Sequence, residues 1–545
     1  MLQLGFRIVV ASALAALALI GVSRTGTSGA FGSQGSEGGT PDPHFSATRP
    51  VLSVDTHDPF ALIGSADFNG DGLADVVVVR YPADYRPGTS APISILLNNG
   101  RGGLVDATKA MFTGHVPETE HPRELVIADF NGDRRPDIFI ADHGYDHPPY
   151  PGFQDTLVLS TADGKLVDAT ANLPQRSDYS HSATVADVDG NGTVDLFVGN
   201  TGSGDYSPPE LLLNDGSGHF RICPNCLPAP VLDIHRGNYT DSQFVDVNGD
   251  GHPDLILGSS EFGSSPSEVL LNDGSGHFRI LPGALPAKPF GPSSITTDIQ
   301  AADLNNDAHP DLVISYAGPN PPYFGRSLQV LINNGDGTFR DETAARLPQQ
   351  PTASNDGNWI RFLSLEDINH DGSVDIATQT DVWPDSNRDE TQPVYLNDGS
   401  GHFSPIPASA VPRMQPGLYL FMDIDGDGGN DLLTAVPATP GTVEQFFIAR
   451  DLTASISTLY ATVPAKGPVV LTTPTVATTV ARGRYHIVVN DRSTHAGFRF
   501  QGKGINKTTS AAFVGRTVWP VTLTPGTYRY WSDQQPHRVR TIIVH

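Results

Sequence analysis

Seven times the chain repeats one nine-residue pattern of oxygen-bearing side chains, and no other feature limits its fold as much. The first copy is Asp67-Phe68-Asn69-Gly70-Asp71-Gly72-Leu73-Ala74-Asp75, with oxygens at positions 1, 3, 5 and 9 and glycine at position 6. The spacing returns as Asp129, Asn131, Asp133, Asp137; Asp187, Asp189, Asn191, Asp195; and Asp246, Asn248, Asp250, Asp254. It continues as Asp303, Asn305, Asp307, Asp311; Asp367, Asn369, Asp371, Asp375; and Asp423, Asp425, Asp427, Asp431. Successive copies start 62, 58, 59, 57, 64 and 56 residues apart, an array with a period near 59.

Alternating Asp and Asn on a tight loop aim several oxygens at one point, the donor set that a hard cation such as Ca²⁺ takes. Glycine at position 6 permits the sharp turn. The loops are not EF-hands: Val78 and Ile140 stand at position 12, where an EF-hand needs Glu. Each loop runs into an apolar, β-branched stretch, such as Val76-Val77-Val78-Val79 or Ile138-Phe139-Ile140, so the loops lead into strands. Asp-Asn-Gly clusters also make ordinary hairpin turns, but seven copies in register favour calcium. Arg134 and Ala308 replace glycine at position 6, which predicts weaker second and fifth sites.

A second recurrence lies within each repeat. Asn214-Asp215-Gly216-Ser217-Gly218-His219-Phe220 returns at 272–278 and 397–403, with a variant at 333–339. The Asn/Asp-Gly pairs here are expected to supply the positive φ of tight hairpins. Each unit then holds about four antiparallel strands, and such sheets bury both faces only by stacking on neighbours. The fold class expected is all-β: a seven-bladed β-propeller over residues 48–455, with a linear solenoid as the structural alternative. The last blade has no clear terminal hairpin, and a strand at Val51–Val54 is expected to complete it.

These loops and hairpins resemble the FG-GAP/VCBS repeats of integrin-α-like β-propellers. The resemblance implies Ca²⁺ in the loops and a scaffold used for recognition.

The formal net charge is −26, and no basic stripe is present, which argues against a nucleic-acid partner. The loops hold twenty-two aspartates, and seven Ca²⁺ ions would bring the balance to −12. Residues 1–22 carry Arg7 before an apolar run from Ile8 to Val22, a secretory signal or an uncleaved N-terminal anchor; the latter is the one membrane attachment expected. Residues 23–47 read as a Gly/Ser/Thr linker. Export, to the cell surface or beyond it, suits calcium sites of about 10⁻⁴–10⁻³ M affinity.

In a four-stranded meander the first and third turns share a face, so the acidic loops and Asn-Asp-Gly hairpins lie together. The other face carries the second turns and the connections between units. There stand Asp142 through Tyr150, Tyr179, His181, His235, Tyr239, Tyr323, Phe324, Trp359 and Trp383. They read as a protein- or carbohydrate-binding surface, or as packing beneath long loops. His143, Asp146 and His147 have metal-ligand chemistry at an unspecific spacing. Cys223-Pro224-Asn225-Cys226 reads as a local disulfide, with no second pair to build a zinc site.

From 457 to 545 the composition turns to Thr, Val and Pro, and a small antiparallel β-sandwich is expected. Asn490 through His495, Gly504 through Lys507 and Pro525 through Tyr530 resemble a bacterial cupredoxin-like domain. Blue copper needs two His and a Cys thiolate. His495 matches the first, Ser532 stands where Cys is expected, and His537 falls late, so copper is expected to be lost. The function expected is non-catalytic recognition or adhesion, with a propeller-based polysaccharide lyase or hydrolase as the alternative and a structural spacer as a third reading.

Overall fold

The computed structural model describes residues 45–545 apart from 47, 55, 57, 101, 202–207, 235–237, 260–265, 350–356, 370–372, 383–393, 407–417, 425–429, 437–443, 450–456, 465–468, 474, 477–478, 481–482, 504, 512, 524–525 and 545. The N-terminal segment 1–44, His235, Asp371, Trp383, Asp425 and Asp427 therefore lie outside the described residues.

The chain is all-β. Among the described residues, seven four-stranded antiparallel sheets follow one another through residues 49–449. The second sheet is typical: Pro122–Ala128, Asp137–Asp142, Thr156–Ser160 and Leu166–Asp168, with the acidic loop between its first two strands. The seventh sheet takes three strands from 418–449, and Arg49–Val54 adds the fourth by pairing antiparallel with Glu444–Ala449.

The apolar runs explain why no sheet stands alone. Asp75–Arg80 is buried along its whole length. Its side chains alternate across the sheet, as strand geometry requires. Val76 and Val78 share a core with Leu420, Leu433 and Phe446 of the seventh sheet, while Val77 and Val79 share one with Ile138 and Ile140 of the second. Five further cores join each remaining pair of successive sheets. Each buried valine contributes about 1.5–3 kcal/mol, and it needs a neighbouring sheet to do so.

The first strands lie side by side in turn, from Phe60–Ala66 through Asn358–Glu366, and Leu418–Met422 lies beside Phe60–Ala66 again. In six sheets the pairing of first and second strands slips by one residue at the same place. The extra residues are Ala61, Arg123, His181, Thr240, Thr297 and Arg361. A bulge re-aims its side chain and strengthens the local twist.

The described residues of 457–544 form two five-stranded sheets on one shared core, in which Leu459, Ala461 and Leu471 meet Phe498, Tyr528 and Ile542. The purely antiparallel expectation is corrected here. Ser457–Val463 runs parallel to Gly483–Asp491, and Thr479–Val480 runs parallel to Arg540–Val544. The chain crosses to the second sheet at Thr479 and re-enters the first in its original direction. Among the described residues no helix is long and apolar enough to cross a membrane.

Candidate functional site

The first five acidic loops, described from position 1 to position 9, are built around their first and last aspartates. Asp67 Oδ1 accepts the N–H groups of Gly70 and Asp71 at 2.7 and 3.0 Å, and Oδ2 accepts that of Gly72 at 2.8 Å. Asn69 Oδ1 takes the Asp71 N–H and Asp71 Oδ1 the Leu73 N–H. Positions 1, 3 and 5 thus fold the loop while keeping oxygens at the rim.

Position 9 lies at the base. All seven of these aspartates are buried, and all seven accept the N–H of position 2: Phe68, Phe130, Val188, Val247, Leu304, Ile368 and Ile424. The second carboxylate oxygen reaches the end of the third strand, as Asp75 Oδ1 does with the Asn98 N–H at 2.8 Å. Burial, reinforced by Asp71 and Asp67, raises Asp75 to about 7. Asp137, Asp195, Asp254 and Asp311 are raised to about 6, chiefly by burial with added repulsion from their own loops.

In the third loop carboxylate oxygens of Asp187, Asp189 and Asp195 lie within 4.8 Å of one another, a spacing one cation can bridge. Asp189 at position 3, where five other loops carry Asn, makes this an all-carboxylate group. An oxygen-only donor set fits Ca²⁺ and not the softer transition metals.

Arg134 and Ala308, where weaker sites are expected, take the left-handed backbone that glycine takes at position 6, φ 66° and 69°. Their N–H groups donate to Asp129 and Asp303 at 2.8 and 2.9 Å, as Gly72 does to Asp67. In the hairpins the positive φ falls on Gly216, the glycine of the Asp-Gly pair, and on Gly218, at 84° and 79°. Asn214 donates from Nδ2 to the carbonyl of Phe130 in the preceding sheet. Asn272, Asn333 and Asn397 repeat this on Val188, Val247 and Leu304. Sequence spacing ties these asparagines to their turns; only the stacked sheets reveal the neighbour they reach.

On the opposite face Tyr239, Tyr323 and Trp359, among the aromatic residues singled out from sequence, have partners within the fold. Tyr239 is buried and donates to Glu268, and Tyr323 rests on Trp359 with ring centroids 5.3 Å apart. Cys223 and Cys226 form a disulfide.

One group there is of another kind. His121 precedes the first strand of the second sheet, and His143 and Asp146 come after its second strand. Tyr179 precedes the first strand of the third sheet. All therefore lie at the edge away from the acidic loops. His143 stacks on Tyr179 at 4.2 Å and 5°, and lies 4.2 Å from the His121 ring. Burial holds His143 down to about 3 and His121 well below its ordinary value, with Arg123 adding to both. Arg123 in turn donates to His181 Nε2 at 2.8 Å, and His181 Nδ1 donates to the Thr240 carbonyl. His147 stands apart from the group, against Tyr85 and Tyr145. His121, absent from the sequence reading, lies 22 residues before His143, and no local spacing links the two.

In the C-terminal module His495 and His537 are exposed and Ser532 is buried at a strand end. Gln534 Nε2 donates to the His495 carbonyl, so a side chain joins the two segments.

Comparison with known proteins agrees with the repeat pattern. The FG-GAP-like repeat model matches residues 67–140, 129–198 and 246–314. The chain is 25% identical to the T-cell immunomodulatory protein of Rattus norvegicus over 235 residues, 42% of this chain and 35% of that one. It is 24% identical to the T-cell immunomodulatory protein of Homo sapiens over 353 residues, 60% of this chain and 54% of that one. The chain thus spans about half or less of the length of these relatives. A solved structure described as the Dos1 propeller aligns at 11% identity and TM-score 0.40, covering 74% of this chain and 95% of its own. The repeat matches support an FG-GAP β-propeller.

Proposed function

We propose that the chain is an exported, seven-bladed, calcium-stabilised FG-GAP β-propeller that recognises a protein or glycan without catalysing a reaction on it. The observation that carries the reading is the shared architecture of the acidic loops, in which the third draws Asp187, Asp189 and Asp195 to within 4.8 Å. Positions 1, 3, 5 and 9 would hold the ion. Its charge offsets a cluster whose members raise one another, and no step of chemistry is asked of it. The distant similarity to the T-cell immunomodulatory proteins adds support for a recognition role. So does the use made of the patterned carboxylates, which fold the loops. The C-terminal sandwich belongs to this reading as a cupredoxin-like shell without copper.

The test is calcium counting and thermal melting of the full chain with Ca²⁺, with Mg²⁺ and with chelator, followed by a polysaccharide and cell-surface protein binding screen. A folded-state ligand at a hundredfold excess over its Kd stabilises by about 2.7 kcal/mol per site. Several bound ions with a calcium-specific rise in melting temperature support the scaffold, and retention without cleavage supports recognition. Cleavage of any polysaccharide would overturn the non-catalytic reading, and no bound calcium would reduce the loops to turns.

A further inference from the structure

We propose that His121, His143 and Asp146 form a second cation site, on the face opposite the acidic loops, suited to a zinc-class divalent transition metal. One ring nitrogen of each histidine and one carboxylate oxygen of Asp146 lie within 4.8 Å of one another. Two imidazoles and a carboxylate suit Zn²⁺ and its transition-metal neighbours, whereas Ca²⁺ takes oxygens. Three protein ligands leave a fourth position open to water or to an incoming ligand.

The surroundings are those that metal-bound histidines use. His143 Nδ1 lies 2.9 Å from the Gly144 carbonyl oxygen. With its proton donated there, Nε2 offers a lone pair, and metal-ligating histidines characteristically place their other N–H on a carbonyl or carboxylate. Tyr179 donates its hydroxyl to Asp146 Oδ1 and fixes that carboxylate. Asp142 Oδ1 accepts the N–H groups of both His121 and Gly144, at 2.7 and 2.8 Å. One carboxylate therefore sets the distance between the two histidine-bearing segments.

His121 supplies the second, independent observation. It is 2% exposed, and its Nε2 has no hydrogen-bond partner among the described residues. Its Nδ1 is against the Tyr85 hydroxyl, which also accepts the Asp146 N–H. A buried ring nitrogen without a partner is unusual, and one beside another histidine and a carboxylate is explained by a ligand. Arg123 is the adverse neighbour, because its charge opposes any cation in the group.

The test titrates the full chain, in saturating Ca²⁺ so that the acidic loops are occupied, with Zn²⁺ and with Co²⁺ as a spectroscopic probe. The expected result is one Zn²⁺ per chain that Ca²⁺ does not displace. Co²⁺ should show the intense visible bands of a low-coordinate nitrogen-containing site. His143→Gln and Asp146→Asn should each weaken Zn²⁺ by at least about tenfold, since even supporting partners of metal ligands are worth about 10–100-fold. Arg123→Gln should tighten it several-fold, which binding at scattered surface histidines would not do. Zn²⁺ affinity unchanged in both ligand variants overturns the proposal. If those variants fail to fold, a Co²⁺ spectrum of the unmutated chain showing oxygen-only octahedral ligation overturns it. Calcium in the loops is counted separately, so loss of this site leaves the loop reading standing.

Discussion

Asn98 Nδ2 donates to the carbonyl oxygen of Ile424 at 2.9 Å, joining the first sheet to the seventh across 326 residues of sequence. Ile424 is position 2 of the last acidic loop. Its side chain is buried, its N–H goes to Asp431, and its carbonyl goes to Asn98. An acidic loop and an inter-sheet bracket thus share one residue. Asn98→Ala leaves a buried carbonyl unsatisfied and should cost about 1–3 kcal/mol. Denaturant melts of Asn98→Ala and Asn272→Ala should show similar losses; an unchanged midpoint for both would mean that the bracket is ornamental.

The same closure holds a buried ion pair. Arg80 lies on the first sheet and Glu444 on the seventh; they pair through both guanidinium Nη atoms, at 2% and 0% exposure. Arg80→Met strands a buried carboxylate and should destabilise by about 3–5 kcal/mol. The double replacement Arg80→Met with Glu444→Gln should recover part of that loss. Equilibrium unfolding of the single and double variants checks both statements.

Stability should depend on pH in opposite ways with and without calcium. Asp75 is raised to about 7, and Asp137, Asp195, Asp254 and Asp311 to about 6, from an ordinary 3.8. A carboxyl raised in the folded state stabilises below its unfolded value, and that contribution is lost as pH rises through the folded one. In chelator the melting temperature should therefore fall between about pH 4 and pH 7. Calcium needs the ionised form, so in excess Ca²⁺ the melting temperature should rise over the same range. Parallel pH series would reveal a shared slope, which would count against ion binding at these carboxylates.

Ala308 occupies left-handed backbone that glycine adopts without cost, and a β-carbon there costs roughly 1–2 kcal/mol. Ala308→Gly should stabilise by about 1 kcal/mol once the greater freedom of unfolded glycine is set against it. Arg134→Gly should act in the same direction. Thermal melts in saturating Ca²⁺ test this, and destabilisation by both would show that the loop strain is relieved elsewhere.

Asp187→Asn removes a carboxylate from the one loop whose three acidic groups converge among the described residues, while keeping an oxygen at position 1. Bound calcium should fall by one ion per chain, with a smaller calcium-induced rise in melting temperature. The position-9 change Asp195→Asn should be harsher, because Asp195 also takes the Val188 and Asn214 N–H groups. Equal effects from the two would contradict the separation of rim and base.

Much of this molecule is written locally. An unbroken apolar run such as Val76–Val79 determines a strand buried on both faces. Asp-Asn-Asp-Gly spacing determines a turn that gathers oxygens, and both recur often enough to reveal the repeat. These are short-range consequences of side-chain alternation and turn geometry, so the sequence alone determines them. What it could not determine was where each hydrogen bond ends. Position 2 of the loops looks like a spacer in sequence, and Asn214 looks like a turn residue; stacking makes them partners across sheets. Likewise His121, His143 and Asp146 share no motif. The meeting of a connection between sheets with a second turn puts them together, and such long-range juxtaposition exists only once the sheets have packed.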